Sequence, residues 1–317
     1  MQHLFRAQPS CLWCGEAVEL PTGARPILSR DWGAGTPQVH AYAACGGCRS
    51  LVLLHPPVAE QLAAYYRPDY APYQPPGPEL QRPLELPRLQ ALEALDQSGG
   101  PVRALDYGPG SGWWLAQVAA RFQRAELHAV DFDPPGSQER LAWMGRPVAI
   151  AAPEAFLKRQ QRWHLLHFSH SLEHLSNPLE VLHHGLSGLE PGGLVVIHGP
   201  SVDSLSLRCW SGFWQGLEAP RHLSIPAASQ VASLLERAGL QIVQRTTYGG
   251  RQLLRQTLAA ALAHSQGRGR WFTRLKGTLA RAGSAIPLSG RLVGRLGLGT
   301  AFMIVAQKPL VEPNGRR

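Results

Sequence analysis

Residues 101–133 read PVRALDYGPGSGWWLAQVAARFQRAELHAVDFD. VRALDY is a short apolar run that stops at a glycine-rich turn, Gly108-Pro-Gly-Ser-Gly112. The next segment, WWLAQVAARF, sets Trp114, Leu115, Val118 and Phe122 on one face at helical spacing, and AELHAVDF is a second apolar run. Strand, tight turn, helix and strand make a parallel unit. Glycines in such a turn let the backbone approach a ligand, and the helix N-terminus beyond it favours negative charge.

The pattern extends in both directions. PVAIA (147–151), WHLLHFS (163–169), LVVIHG (194–199), LQIVQRT (240–246) and AFMIVAQ (301–307) read as further strands. Helices are expected over 84–97, after Asn177-Pro178 until Pro191-Gly-Gly, and from Ser224-Ile-Pro226 to Gly239. Near-continuous apolar strands alternating with helices imply an α/β fold, a mainly parallel sheet with helices on both faces.

Ahead of this domain lie Cys11-Leu-Trp-Cys14 and Cys45-Gly-Gly-Cys48, two pairs separated by 30 residues. Close cysteine pairs in a reducing compartment favour metal over disulfide, and four thiolates can surround Zn²⁺ tetrahedrally in a closed, structural site. Residues 1–55 are therefore expected to form a zinc ribbon, with Cys11, Cys14, Cys45 and Cys48 as its ligands. A Pro- and Tyr-rich connector follows over 56–83, where Tyr65, Tyr66, Tyr70 and Tyr73 can pack. The main domain takes 84–250 and 298–310, interrupted by a basic, partly helical insertion at 251–297. The fifth cysteine, Cys209, stands alone and reads as a small buried hydrophobe.

The chain has 317 residues, a net charge of +9 and no apolar run of membrane-spanning length. The N-terminus lacks a signal-peptide core, so a cytoplasmic location is expected, with peripheral contact to a membrane through 251–297 as an option. No Asp or Glu occurs between Arg237 and Val311, while Arg251, Arg255, Arg268, Arg270, Arg274, Lys276, Arg281, Arg291 and Arg295 fall there. Such a stretch suits an anionic lipid surface, nucleic acid or a phosphorylated substrate; it equally suits a plain solvated face.

The glycine turn reads DxGxGxG, with Asp106 two residues ahead of Gly108, rather than the dinucleotide pattern GxGxxG. An acid there opposes a pyrophosphate and suits a cationic or hydroxyl-bearing ligand. Asp131, about 20 residues on, ends the next strand and can accept from two ribose hydroxyls; Asp133 is the weaker candidate. These features together resemble the class I S-adenosylmethionine-dependent methyltransferases. The resemblance continues in Phe168-Ser-His-Ser-Leu-Glu-His-Leu, in Pro191-Gly-Gly-Leu, and in Arg221-His222-Leu-Ser, which has Arg where Asp is usual. The N-terminal unit and connector resemble zinc-ribbon methyltransferases found with bacterial surface-polysaccharide genes.

The resemblance implies a Rossmann-like seven-stranded sheet whose last strand runs antiparallel between the fifth and sixth. It implies S-adenosylmethionine as cofactor, held by Asp106, Gly108, Gly110, Gly112, Asp131 and Ser169, and a methyl group passed to a small-molecule or glycan-like acceptor. Only Glu154 matches the acid many members place near the adenine, so no contact is assigned there. For an oxygen acceptor a base must take a proton, and His222, His174 and His170 are the candidates. His170 and His174, four apart, would share a helix face. With Glu173 and His222 they are also donors for a divalent metal, as similar segments are in some small-RNA and quinone-pathway methyltransferases. Trp210, Phe213 and Trp214 either roof the acceptor pocket or belong to the core. Three rival readings stand beside this one: an RNA methyltransferase, a non-catalytic zinc-ribbon binding module, and a nicotinamide dehydrogenase.

Overall fold

The structure is a computed structural model that describes residues 9–20, 22–31, 38–58, 61–62, 64–66, 70–74, 84–249 and 297–310. Its main sheet has seven strands: β4 (Val102–Tyr107), β5 (Ala125–Val130), β6 (Val148–Ala151), β7 (Trp163–Ser169), β8 (Leu189–Pro200), β10 (Gln241–Tyr248) and β11 (Ala301–Gln307). Their order across the sheet is β10-β11-β8-β7-β4-β5-β6. The pairs among β4, β5, β6, β7 and β8 are parallel, and β11 runs antiparallel to both neighbours. The last strand is thus inserted between the fifth and sixth, as the resemblance implies.

Successive strand residues point to opposite faces, so each strand feeds two cores. On one face Leu105, Tyr107, Phe168, Ile197 and Phe302 pack against Val181, Leu182, Val231 and Leu235. On the other, Ala104, Leu165, Val196 and Val305 pack against Leu92, Trp114, Leu115, Val118 and Phe122. The covering helices are α1 (Gln90–Gln97), α2 (Trp113–Arg121), α3 (Pro134–Leu141), α4 (Pro153–Lys158), α5 (Pro178–Ser187) and α7 (Ala228–Arg237), while α6 (Leu205–Trp210) sends Leu207 against a separate cluster around Tyr42 and Trp214. Two-sided burial is why the central strands show little polar alternation.

A second, four-stranded antiparallel sheet orders β1 (Ile27–Ser29), β2 (His40–Ala44), β3 (Leu51–Leu53) and β9 (Ser224–Ile225). Its last strand comes from the far end of the main domain. Leu51 pairs with Ile225 and Val52 with Ser224, so the N-terminal unit is completed by residues outside 1–55. Trp13 Nε1 donates to the Ser224 carbonyl at 3.1 Å, and Gln230 Nε2 donates to the Trp13 carbonyl at 2.7 Å. Tyr42, Trp214, Leu217 and Ile225 form a small core between the two units.

Four local expectations are corrected. The helix expected from residue 84 begins at Gln90, because Pro87 biases Leu86 toward extended backbone. The helix expected from Ser224 begins at Ala228; Ser224 and Ile225 are drawn off into the N-terminal sheet. Gly188 caps α5, and Pro191-Gly-Gly lies inside β8, at a register shift in its pairing with β7. His170 and His174 do not share a helix face: Leu172–His174 is a single 3₁₀ turn, and His170 precedes it with φ of 50°. The basic insertion expected at 251–297 falls, save for Gly297, outside the described residues. Among those described, no helix is long and apolar enough to cross a membrane.

The joint between the units is tight at Gly212, where a Cβ would collide with the Leu28 carbonyl oxygen of β1. Ser29 Oγ donates to the Gly212 carbonyl at 2.7 Å on the same seam. Gly212→Ala is expected to lower stability by roughly 1–3 kcal/mol, the usual range for forced overpacking, read from the urea midpoint at unchanged slope.

Candidate active site

The glycine turn leaves β4 and is tied to the end of β5 by Gly108 N–H donating to the Val130 carbonyl at 2.8 Å. Gly110 has φ of 53°, and a Cβ there would sit 2.8 Å from the Pro72 carbonyl oxygen of the connector. Gly112, φ 78°, caps α2 and, as a glycine, makes no side-chain cap bond. Asp131, 5 % exposed, follows β5 directly. One of its oxygens accepts from the Asp133 N–H at 3.1 Å, the other from Ser137 Oγ at 2.7 Å and Arg140 at 3.0 Å. The Arg140 guanidinium in turn lies over the Tyr73 ring, 4.2 Å from its centroid. Connector, glycine turn and Asp131 therefore converge on the carboxyl ends of β4 and β5, where open α/β sheets hold ligands.

Asp106 is placed differently from a ligand-facing acid. It is 2 % exposed, and its Oδ1 meets His167 Nδ1 at 2.8 Å across the β4–β7 register pair. Trp114 stacks flat on that imidazole, with centroids 4.2 Å apart. His167 in turn meets His198 edge-on, and Tyr248 hydroxyl lies 2.9 Å from His198 Nδ1. Burial, with His167 adding to it, pushes the His198 pKa down to about 3. Sequence reasoning missed His167. Its signal was present: Asp106 and His167 are polar interruptions in two adjacent apolar runs.

A third group gathers beyond the end of β7. Glu173, 1 % exposed, has Oε1 at 3.4 Å from His170 Nδ1 and 3.9 Å from His222 Nε2. His222 is 2 % exposed; its Nδ1 lies 2.9 Å from the Gly216 carbonyl and its Nε2 lies 3.6 Å from Glu218 Oε2. His174 Nδ1 is 2.8 Å from the Tyr66 hydroxyl and 3.2 Å from the Arg221 carbonyl. Glu218 accepts from Arg221 Nε at 2.8 Å and from the Tyr70 hydroxyl. His170 alone of the three histidines is exposed.

The ionisation pattern follows from this packing. Burial opposes charge on Glu173, but the surrounding histidines outweigh it and lower its pKa. The same contest at Glu218, with His222, His174 and Arg221 against burial, brings it down to about 2. Burial, with His222 adding to it, lowers His174 to about 4, so this imidazole is neutral. At His170, exposed as a residue but set against buried groups, desolvation works against the cation, yet the Glu173 carboxylate prevails and raises the pKa. Two ionised carboxylates thus face imidazole nitrogens in a largely dry setting. Among the described residues Glu173 Oε1 and His222 Nε2 have no hydrogen-bond partner, and donor atoms of Glu173, His174 and His222 lie within 4.8 Å of one another, a set that can hold a metal ion.

The four paired cysteines form a separate cluster. Their Sγ atoms lie within 4.8 Å of one another, with Cys11–Cys48 and Cys14–Cys45 each at 3.5 Å. Zn–S bonds of about 2.3 Å in a tetrahedron put sulfurs roughly 3.8 Å apart, so the set is compatible with zinc. Both turns are alike: Gly15 N–H donates to the Cys11 carbonyl and Arg49 N–H to that of Cys45, each from a left-handed residue. Cys209 is exposed, against the buried position expected for it.

Of the other candidates, Ser169 closes β7 opposite His198. Trp214 is fully buried in the core between the units, which settles it as packing, and Trp210 and Phe213 are partly buried. Glu218 and Asp31 were missed as members of the site, because nothing local in the sequence marks them; Arg221 was marked only as an Arg where Asp is usual. Tyr66 and Tyr70, expected only to pack, also serve it: they pack edge-on at 5.7 Å, and Tyr66 meets the exposed Phe132 at 5.3 Å.

A family described as "Methyltransferase domain" matches residues 78–245, more than half of the chain. Comparison with curated proteins finds no match. Among solved structures, the chain is similar to an O-methyltransferase family protein from Burkholderia thailandensis, at 13 % identity and TM-score 0.43, over 71 % of this chain and 57 % of that one. It is also similar to the N-methyltransferase NodS from Bradyrhizobium japonicum WM9, at 15 % identity and TM-score 0.42, over 79 % of this chain and 97 % of that one. The chain belongs to the methyltransferase-domain family, of the class I S-adenosylmethionine-dependent kind.

Proposed function

We propose that this protein methylates a small-molecule or glycan-like acceptor from S-adenosylmethionine, with His170, backed by Glu173, taking the acceptor proton. The observation that carries this is the convergence of the glycine turn, Asp131 and the Glu173–His170 pair at the carboxyl ends of three neighbouring strands. When bound, the cofactor supplies an electrophilic methyl group on a sulfonium. Asp131 has an oxygen engaged only by the Asp133 N–H, which leaves it able to accept from ribose hydroxyls. The turn at Gly108, Gly110 and Gly112 and the uncapped start of α2 suit the carboxylate end of the molecule. Ser169 stands beside them at the end of β7, and Asp106 orders the turn from below through His167.

His170 replaces His222 and His174 as the preferred base. Those two are turned inward onto backbone carbonyls, whereas His170 is exposed with a buried carboxylate behind it, the arrangement that orients an imidazole for proton transfer. Tyr66, Tyr70 and Phe132 wall the same space with aromatic rings, suited to a sugar or other ringed acceptor. The four cysteines hold a structural Zn²⁺.

A second reading of the Glu173 cluster is favoured by its donor geometry. A carbonyl only accepts, so Gly216 fixes a proton on His222 Nδ1, and Nε2 is the ring atom that faces two carboxylates. A divalent cation would be held there by Glu173, His174 and His222, and histidines that donate their other N–H to a carbonyl are the usual ligands. Zinc-replete protein is expected to bind one Mn²⁺ by electron paramagnetic resonance and to lose it in Glu173→Gln; absence of Mn²⁺ binding by the wild type leaves the base reading alone.

Calorimetry with S-adenosylhomocysteine is expected to show binding that Asp131→Ala weakens by at least ~10-fold, since charged hydrogen bonds are worth about 1.5–3 kcal/mol. Binding unaffected by the substitution refutes the assigned site. For His170, ring titration by NMR is expected to give a midpoint above the ordinary ~6.5, falling in Glu173→Gln. Because the base acts when neutral, turnover should rise with pH through that raised midpoint. The shift also stabilises the fold fully below about 6.5, a gain lost as pH climbs through the raised value.

A further inference from the structure

The acceptor-side cluster is held from outside its own domain. Arg221, 8 % exposed, reaches in two directions: NH1 lies 2.7 Å from Asp31 Oδ2 and Nε lies 2.8 Å from Glu218 Oε1. Asp31, 2 % exposed, belongs to the N-terminal unit, two residues beyond β1. Glu218 then faces His222 Nε2 at 3.6 Å from its other oxygen. Its backbone has φ of 38°, a left-handed conformation a glutamate adopts only when its surroundings hold it. The same unit fixes the backbone here: Tyr42 hydroxyl lies 2.8 Å from the His222 carbonyl and 3.1 Å from that of Leu217.

We propose that Asp31 is a positioning residue for the acceptor-side centre, acting through Arg221 to fix Glu218 against His222. A guanidinium can grip two carboxylates in fixed directions, which an ammonium cannot. With Asp31 present, Arg221 is anchored at its far end and its Nε is aimed at Glu218. Without it, the guanidinium is free to turn wholly to Glu218 or to the Tyr65 carbonyl, 3.3 Å from NH1, and the Glu218 carboxylate shifts relative to the His222 ring. The Arg221 carbonyl also meets His174 Nδ1, so the second histidine moves with the same segment. The N-terminal unit is thus part of the centre, and the centre is incomplete without it.

This rests on reading the Glu173 cluster as the acceptor side, but its test reads the geometry of the cluster and not turnover. Failure of one therefore leaves the other standing. The full chain, with zinc as its sole metal, is labelled with ¹⁵N-histidine, and ring-nitrogen signals of His222 and His174 are identified by their loss in His222→Gln and His174→Gln. Asp31→Asn is expected to displace both sets of signals while S-adenosylhomocysteine affinity is unchanged. In an Arg221→Met background, Asp31→Asn is expected to displace them no further. Signals unmoved by Asp31→Asn, or displaced equally in the Arg221→Met background, overturn the proposal. Should Asp31→Asn fail to fold, Arg221→Lys keeps the charge but loses the two-ended grip; it is expected to displace the same signals, and unmoved signals overturn the proposal.

Discussion

The pairing of two short strands holds this molecule to one shape. Residues Ser224 and Ile225 leave the main domain to become the edge of the N-terminal sheet beside β3. That edge would otherwise present unpaired backbone groups, which seek any available partner. Pairing it with the main domain covers that side of β3 and buries Tyr42, Trp214 and Ile225 together. It also fixes His222, two residues upstream of β9, relative to Glu173, whose carbonyl accepts from the Leu223 N–H at 2.8 Å. The position of His222 thus depends on a sheet in the other unit.

The two sides of the site handle buried charge in opposite ways. On the cofactor side, Asp106 is met by His167, and Asp131 by Ser137, Arg140 and a backbone N–H. Asp106 Oδ1 and both Asp131 oxygens are engaged, which stiffens the network, although Arg140 Nε and Trp114 Nε1 have no hydrogen-bond partner among the described residues. On the acceptor side, Glu173 Oε1 faces His170 Nδ1 at 3.4 Å, and neither it nor His222 Nε2 has a well-formed hydrogen bond among the described residues. Unmade hydrogen bonds in a dry site cost more than made ones gain, and at Glu173 and His222 they coincide with donor atoms that can hold a metal ion. That coincidence suits the proposed centre, which an acceptor or a cation would complete.

The sequence made the first side legible and the second only in part. The glycine turn, Asp131 and the inner face of α2 lie within one βαβ unit, and local spacing specifies local geometry. The cysteine pairs were legible for the same reason, since each makes its own turn. Asp31, Tyr70, Glu218 and Arg221 meet across up to 190 residues of sequence, where periodicity carries no information. One mark was visible: Arg221 stands where the resembling element has Asp, and the structure supplies Asp31 as its counter-charge. The misplaced helix start at Ser224 had the same origin, for a strand of two residues is specified by its partner and not by its own pattern.

This division bears on how such a chain can change its chemistry. Save for Ser169, the residues proposed to hold the cofactor lie within 106–131, so substitutions there disturb one loop and one helix. Those around Glu173 are drawn from the N-terminal unit, the connector, the end of β7 and the segment before β9. Altering the acceptor pocket can therefore proceed through the N-terminal unit while the glycine turn and Asp131 stay as they are. Asp31 and Tyr42 touch the segment that carries His222. On the proposed reading, this unit, joined to the main domain by a borrowed strand, forms a wall of that pocket.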